Sequence, residues 1–357
     1  FNDLFLEHKN EIDKYIRDSN ETEKAFWLNF YEKKSFDMSI NPHIIKYVFH
    51  HKDNINKVYR YLNYRYFFEQ VATKKMDTDY PPYLLIEPVS KCNLRCPFCF
   101  QSDKSFTKKP FMGMMDLDLF KNIIDQADEL GVGAITIASR GEPTLHKNLG
   151  EMLTYTKEKE NIFEVKLNTN GTRLTEELCY QIFDSEVNQL VISADHYEKE
   201  TFEQLRKNAN FESIVRNVNM LFDIRKQFKN PLTEIRISGV DANKSTDKNK
   251  FHKFWIKTSD GVTIGDAFER WDTYNNKIHP DINDPCENLW DRMYIWFDGK
   301  VNPCDADYKS YLSYGNIHEY SIKELWNNKI IKNIREKHIT NQRNEINPCN
   351  KCGITFE

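Results

Sequence analysis

From residue 83 onward, short apolar segments alternate with amphipathic segments of helical spacing. The apolar segments are 83–87, 134–138, 163–168, 190–194, 234–239 and 262–266, and the helical segments between them are 117–130, 149–159, 175–183 and 213–228. Strands that alternate with helices in this way form parallel βαβ units. The pattern predicts an α/β fold, a partial (β/α)6 TIM-like barrel, with functional residues at the carboxyl ends of its strands.

The residues before this alternation show helical spacing and no strand pattern. Charged and aromatic side chains are frequent there, and the helical segments are 5–15, 23–31 and 54–71. We expect a helical N-terminal extension over residues 1–80, followed by the barrel over residues 81–270.

A different pattern follows the barrel. Two apolar segments flank Asp298-Gly299, which predicts a β-hairpin with a tight turn. Ser321 and Glu324 then form the capping-box pattern that begins a helix. We expect a small C-terminal module over residues 271–357.

The composition excludes several classes of function. The 357 residues contain 50 Lys and Arg against 54 Asp and Glu, a formal charge of -4, which does not favour a broad nucleic-acid-binding face. No apolar segment reaches the roughly 20 residues that span a bilayer, and the first ten residues lack the pattern of a signal peptide. We expect a cytoplasmic protein without a nucleic-acid or membrane partner. In such a compartment its eight cysteines are more often metal ligands than disulfide partners.

Three of the cysteines lie in one loop directly after the first predicted strand. Cys92, Cys96 and Cys99 are separated by three and then two residues, and Pro97 disfavours a helix through them. Three thiolates from one loop suit an iron–sulfur cubane whose fourth iron has no protein ligand. The alternative is a zinc knuckle completed by a distant histidine.

Four further cysteines bracket the predicted C-terminal module. Cys286 and Cys304 flank the hairpin, and Cys349 and Cys352 form a late Cys-x-x-Cys pair. Four thiolates make a closed tetrahedral set, which suits structural zinc as well as a fully ligated [4Fe-4S] cluster. The eighth cysteine, Cys179, lies in a predicted helix and is expected to be a core thiol.

The CxxxCxxC loop after the first strand resembles the signature of the radical S-adenosylmethionine (SAM) superfamily. The resemblance implies a [4Fe-4S] cluster whose open iron is chelated by SAM, and reductive cleavage of SAM to methionine and a 5′-deoxyadenosyl radical. It also implies SAM contacts at an aromatic residue of the loop and at small or polar residues near the strand ends. These positions are Phe98, Gly141, Glu142, Pro143, Asn168, Asn170, Ser193, Asp195, Arg236 and Ser238.

Two features qualify these SAM positions. Arg140 stands where the family's Gly-Gly-Glu-Pro stretch has its first glycine, a departure that concerns the local turn more than the contact by Glu142. Each strand-end residue is weak evidence alone, since Asn-Gly is usually a turn and Ser at a strand end is usually a helix cap. Their shared spacing is the evidence.

The C-terminal module is similar to the SPASM and twitch appendages of radical SAM enzymes. Its cysteine spacing resembles that of twitch-type aminocyclitol dehydrogenases, with one auxiliary cluster instead of two. The resemblance implies a second [4Fe-4S] cluster that accepts an electron from a substrate radical. It also implies a flavodoxin or ferredoxin as the reductant of the enzyme.

The substrate is harder to predict. Arg270, in segment 269–274 after the last predicted barrel strand, is the candidate catalytic residue, because it can hold an anionic group or help to deprotonate an alcohol. Trp271 beside it can stack on a sugar ring or an adenine. An equally good interpretation of this segment is a linker with a salt bridge and a core tryptophan.

Two substrate classes follow from the resemblance. One is a carbohydrate, aminocyclitol or nucleotide-linked sugar that undergoes oxidation, epimerisation or elimination, and the other is a peptide or protein. Many peptide-modifying relatives carry an N-terminal winged-helix domain with a three-stranded sheet, whereas residues 1–80 predict helices only. We therefore expect a small, sugar-like substrate. A non-catalytic iron–sulfur or zinc scaffold is the third alternative, and the SAM-like residues at several strand ends argue against it.

Overall fold

The first 77 residues form a compact all-helical unit in the computed structural model, which describes residues 1–242, 244, 246–267, 273–279 and 282–354. Its helices are α1 (Asn2–Glu7), α2 (Lys9–Asp18), α3 (Glu21–Lys33), α4 (Pro42–His50) and α5 (Ile55–Lys74). They pack around aromatic side chains. Trp27 is fully buried, stacks on Tyr59 and donates from Nε1 to Asn63 Oδ1 at 2.7 Å. All five helices lie within residues 1–80, and α4 has no counterpart among the helical segments that the sequence predicts.

The second unit, Thr78–Glu357, is built on a nine-stranded sheet in the order β6-β5-β4-β3-β2-β1-β7-β8-β9. The first six strands pair in parallel with their neighbours, which confirms the predicted α/β fold. The strands are β1 (Tyr83–Ile86), β2 (Ala134–Ile137), β3 (Glu164–Thr169), β4 (Gln189–Ser193), β5 (Glu234–Asp241), β6 (Gly261–Asp266), β7 (Met293–Ile295), β8 (Lys300–Asn302) and β9 (Gly315–Asn316).

Helices connect the barrel strands and cover one face of the sheet. They are α6 (Leu117–Leu130), α7 (Leu149–Lys157), α8 (Glu176–Asp184), α9 (Lys199–Leu205), α10 (Phe211–Arg225) and α11 (Lys248–Trp255). Along β3, Val165 and Leu167 are buried, and Lys166 and Asn168 alternate with them on the opposite face. That opposite face is the barrel interior, where the site described below lies.

The predicted hairpin forms, but it does not stand apart from the barrel. β7 and β8 are antiparallel around a turn in which Gly299 has a φ of 77°, a left-handed conformation that favours glycine. β7 also pairs in parallel with β1, with Tyr294 opposite Leu85. The C-terminal module thus continues the barrel sheet, a long-range pairing that local sequence patterns do not contain.

The end of the chain is helical. α12 (Asn288–Asp291) precedes the hairpin, and α13 (Ile322–Trp326) and α14 (Lys329–Ile339) follow it. The predicted capping box of Ser321 and Glu324 begins α13. Asn328 then caps α14 separately, so two helices stand where the sequence predicts one. Among the described residues, no helix is long and apolar enough to cross a membrane.

Candidate active site

The loop after β1 places three cysteines along a cavity of about 280 Å³ at the carboxyl end of the barrel strands. Backbone N–H groups approach two of the thiols: Leu94 N lies 3.4 Å from Cys92 Sγ, and Gln101 N lies 3.5 Å from Cys99 Sγ. Burial raises the pKa of Cys96 to about 11 and that of Cys99 to about 12. Bound iron must therefore displace protons from these thiols, and the cation offsets the cost of burying thiolates.

The lining of this cavity fits a polar ligand beside the cysteines. The buried lining atoms Gln101 Oε1, Ser139 Oγ and Asn168 Oδ1 have no hydrogen-bond partner within the described part of the chain. Buried polar atoms are normally paired, so these three atoms indicate where a polar ligand such as SAM binds. No histidine is among the described residues of the lining, which leaves the zinc-knuckle alternative without a fourth ligand there.

Six of the positions that the resemblance implies for SAM line the cavity. They are Phe98, Gly141, Glu142, Asn168, Asn170 and Ser193. These residues come from the cysteine loop and from the carboxyl ends of β2, β3 and β4, which parallel pairing brings to one edge of the sheet. Their contacts with SAM stay predictions.

The other four implied positions lie beside the lining. Pro143 is the chain neighbour of Glu142. Ser238 is the register partner of Ser193. Asp195 is fully buried and pairs through Oδ2 with Nε of Arg206, a lining residue, at 2.8 Å.

Arg236, the fourth of these positions, lies in the register row of Asn168. Its side chain is about one-third exposed, and its Nε is 4.0 Å from Glu234 Oε1. This weak pairing leaves the guanidinium available to a carboxylate, and its pairing with SAM also stays a prediction.

Glu142 is the most firmly held polar side chain of the lining. Its Oε1 accepts hydrogen bonds from Thr144 Oγ1 and Thr169 Oγ1, each at 2.6 Å, and its Oε2 accepts one from Asn170 N at 2.7 Å. Burial raises the pKa of this carboxyl, and the hydrogen bonds oppose that rise. The bonds fix the carboxylate at the mouth of the turn after β2.

Arg140, the departure from the family pattern, ties that turn to the C-terminal module. Its Nε and Nη2 donate to the Glu87 carboxylate at 2.6 and 2.5 Å, and its Nη1 donates to Tyr308 O at 2.8 Å. The guanidinium also lies 4.1 Å from the ring centre of Trp296. The side chain therefore leaves the turn and bridges two parts of the fold.

The second cysteine set comes from three separate segments of the C-terminal module. Burial raises the pKa of Cys304 well above its usual value, and the charges of Cys349, Cys352 and Cys286 raise it further. Burial likewise raises the pKa of Cys286 to about 12. A closed set of four thiolates fits the chemistry of a fully ligated iron–sulfur cluster.

One packed cluster contacts residues of both cysteine sites. Tyr294 on β7 packs with Leu85 and Trp296, and Cys304 packs against this cluster. Leu85 lines the cavity of the first cysteine set. The cluster therefore lies between that cavity and one cysteine of the second set.

Sequence reasoning missed two charged residues of the lining, Arg206 and Asp305. Arg206 follows α9 and belongs to no sequence motif. It could have been found only as the ion-pair partner of Asp195, and the sequence alone does not show that the two residues meet. Asp305 had a clear signal, because it directly follows the ligand Cys304. Burial raises the pKa of Tyr294, and the nearby Asp305 charge raises it further.

The candidate catalytic Arg270, together with Trp271, lies outside the described residues. Its role stays a prediction. Cys179, the core thiol of the sequence analysis, is fully buried on α8, as expected.

Comparisons with known proteins agree with this geometry. Residues 86–241 match the model of the radical SAM superfamily, and residues 286–353 match that of the SPASM iron–sulfur cluster-binding domain. A cysteine-type anaerobic sulfatase-maturating enzyme of Clostridium novyi is 28% identical over 330 residues, covering 76% of this chain and 84% of that enzyme. Three other curated relatives match between 32% and 46% of this chain, and the chain spans half or less of their length.

Two solved structures show the same fold. BtrN in complex with AdoMet and 2-DOIA has a TM-score of 0.54 at 21% identity, covering 78% of this chain and 95% of BtrN. Streptococcus suis SuiB bound to its precursor peptide SuiA has a TM-score of 0.60 at 15% identity, covering 93% of this chain and 79% of SuiB. Residues 86–241 thus form a radical SAM domain and residues 286–353 a SPASM domain, and these two domains imply a SAM-binding [4Fe-4S] cluster and an auxiliary iron–sulfur cluster.

Proposed function

We propose that this enzyme abstracts a hydrogen atom from a carbohydrate, aminocyclitol or nucleotide-linked sugar and oxidises the alcohol at that carbon. The position of Asp305 carries the proposal. This residue directly follows the auxiliary-cluster ligand Cys304 and lines the cavity that contains Cys92, Cys96 and Cys99. A carboxylate between the two cysteine sets is placed to accept a proton from a substrate that loses an electron there.

In this mechanism the chain's own residues bind the alcohol and remove its proton. When bound, SAM and its cluster supply the radical that takes the hydrogen atom, and the auxiliary cluster supplies an acceptor for the remaining electron. Asp305 accepts the hydroxyl proton as that electron leaves. The alcohol thus loses one hydrogen atom, one electron and one proton, and becomes a carbonyl.

The barrel interior supports a polar substrate. Thr136, Lys166 and Gln189 share one register row, two residues before the row of Asn168 and Arg236 along the strands. Lys166 is half-buried, and its burial, together with the charges of Arg236 and Arg292, lowers its pKa. Side chains of this kind hydrogen-bond hydroxyl and anionic groups, whereas an apolar side chain would leave them unsatisfied. We infer a substrate rich in such groups.

A peptide or protein substrate is the second candidate. The relation to the sulfatase-maturating enzyme covers most of both chains, and the likeness to peptide-bound SuiB covers 93% of this one. The first unit does not favour a winged-helix leader-binding domain, because its described residues form helices and no strand. A flavodoxin or ferredoxin as reductant stays part of the proposal.

Isotope transfer distinguishes the two substrate classes. The anaerobically reconstituted enzyme is given dithionite, SAM and carbon-deuterated substrates of either class, and deuterium in 5′-deoxyadenosine is measured by mass spectrometry. We expect transfer from a polyol or nucleotide sugar. Transfer from peptides alone would replace the first candidate by the second.

Asp305→Asn tests the proton-acceptor role. The variant should still form deuterated 5′-deoxyadenosine, because hydrogen abstraction precedes proton loss, but should form at least about tenfold less carbonyl product, in line with typical general-base contributions. The matched control is Asp223→Asn on the exposed surface of α10. Unchanged product formation in Asp305→Asn would exclude this role.

A further inference from the structure

Arg343 is a buried cation beside the second cysteine set. It is 1% exposed, and its Nη1 donates to Asp284 O at 2.9 Å. Its Nη2 donates to Ile354 O at 2.8 Å and, more weakly, to Cys352 O at 3.4 Å. All of these acceptors are neutral carbonyls. Among the described residues, no carboxylate forms an ion pair with this guanidinium.

A buried charge without a counter-ion is expensive, so the fold must supply a negative group nearby. The cysteines of the second set supply such a group when they bind iron as thiolates. The guanidinium donates to the backbone carbonyl of Cys352 itself and to that of Asp284, two residues before Cys286. It therefore lies beside the backbone that carries these ligands.

The backbone acceptors of Arg343 also connect separate parts of the ligand set. Asp284 lies two residues before Cys286, and Cys352 and Ile354 lie at the other end of the module. One side chain thus holds together the two segments that must converge around the cluster.

We propose that Arg343 is the counter-ion of the auxiliary cluster and raises its reduction potential. Four thiolates give the cluster a net negative charge that grows by one on reduction, and a fixed cation stabilises the more negative state more strongly. Arg343 is a positioning residue in this role, since it acts through the cluster. That the raised potential serves to collect an electron from the substrate rests on the proposed function.

The test is a redox titration of the auxiliary cluster in the full-length chain. The Cys92→Ala, Cys96→Ala and Cys99→Ala background removes the SAM-binding cluster, so that electron paramagnetic resonance reports the auxiliary cluster alone. Arg343→Gln should shift the midpoint potential to more negative values, and Arg343→Lys should restore it. The control is Arg335→Gln, because Arg335 is also buried and donates to the carbonyls of Leu289 and Trp326.

Each outcome bears on the proposal. Loss of iron from Arg343→Gln with retention in Arg343→Lys also supports a counter-ion. An unchanged potential in Arg343→Gln, or loss of iron from both variants, overturns it. The measurement needs no substrate, so a failure of the proposed alcohol oxidation appears only in the deuterium-transfer experiment and leaves this result independent.

Discussion

At the scale of single residues, the role of a site residue could be predicted from the sequence where its partners lie close to it in the chain. The ligand role of Cys92, Cys96 and Cys99 could be predicted because three thiols within eight residues lie close enough to bind one metal cluster. Arg206 and Asp305 line the same cavity, yet they lie far apart in sequence and reach it only through folding. Arg140 shows the same limit, since its partners Glu87 and Tyr308 are distant in the chain.

Gly141 is the residue whose substitution should be felt most sharply in the SAM cavity. A Cβ there would lie 2.2 Å from Val89 O and 2.5 Å from Lys91 O, and backbone atoms cannot yield as a flexible side chain can. Gly141→Ala should destabilise the protein by about 1–3 kcal/mol, as overpacking does, and should weaken SAM binding by displacing Glu142. Thermal unfolding and SAM-binding titrations measure the two effects.

The same chain offers a matched control for this substitution. Gly265 on β6 has none of the described atoms within 4 Å of an added Cβ, so Gly265→Ala should leave both measurements near their original values. Equal effects of the two substitutions would show that the close approach at Gly141 has no consequence.

At the scale of elements, the strands were predictable because their side chains alternate or are continuously apolar. The helices were predicted where an amphipathic pattern ran long enough, as over α6, and missed where it was short, as at α9. The parallel pairing of β7 with β1 was not predictable. Which strands pair depends on the folding of the whole chain, and a local sequence pattern does not contain that information.

The ion pair of Arg140 and Glu87 joins the residues that follow β2 and β1, and it should be the strongest electrostatic link between these two strand ends. Both side chains are almost fully buried, so Arg140→Met leaves the Glu87 carboxylate without its counter-ion. We expect a loss of about 3–5 kcal/mol in the free energy of unfolding, measured by denaturant titration. The double variant Arg140→Met/Glu87→Gln should recover part of it, because the stranded charge is gone.

A surface pair provides the comparison. Lys121 and Glu151 are 2.8 Å apart but partly exposed, so solvent screens their attraction and Lys121→Met should lower the free energy of unfolding much less than Arg140→Met does. If Arg140→Met costs no more than Lys121→Met, the buried Arg140–Glu87 pair contributes no more to stability than an exposed pair does.

At the scale of the whole molecule, one continuous sheet carries segments of both cysteine sets. β1 carries the loop of the first set at its carboxyl end, and its neighbour β7 begins the hairpin flanked by Cys286 and Cys304. The sequence separates these sets by nearly two hundred residues and predicts two modules. In the structure Cys304 packs against the cluster of Leu85, Tyr294 and Trp296, and Leu85 lines the cavity of the first set.

Metal analysis of the whole chain tests whether each cysteine set binds one iron–sulfur cluster. We expect about eight irons and eight sulfides per chain, one cubane at each cysteine set. Cys92→Ala/Cys96→Ala/Cys99→Ala should retain about four irons and make no 5′-deoxyadenosine, because no cluster remains to bind SAM. Cys349→Ala/Cys352→Ala should also fall to about four irons, but should lose product formation more than SAM cleavage. Four irons and one zinc in the unmodified protein would show that the second set holds structural zinc, and the electron acceptor would then have to lie elsewhere.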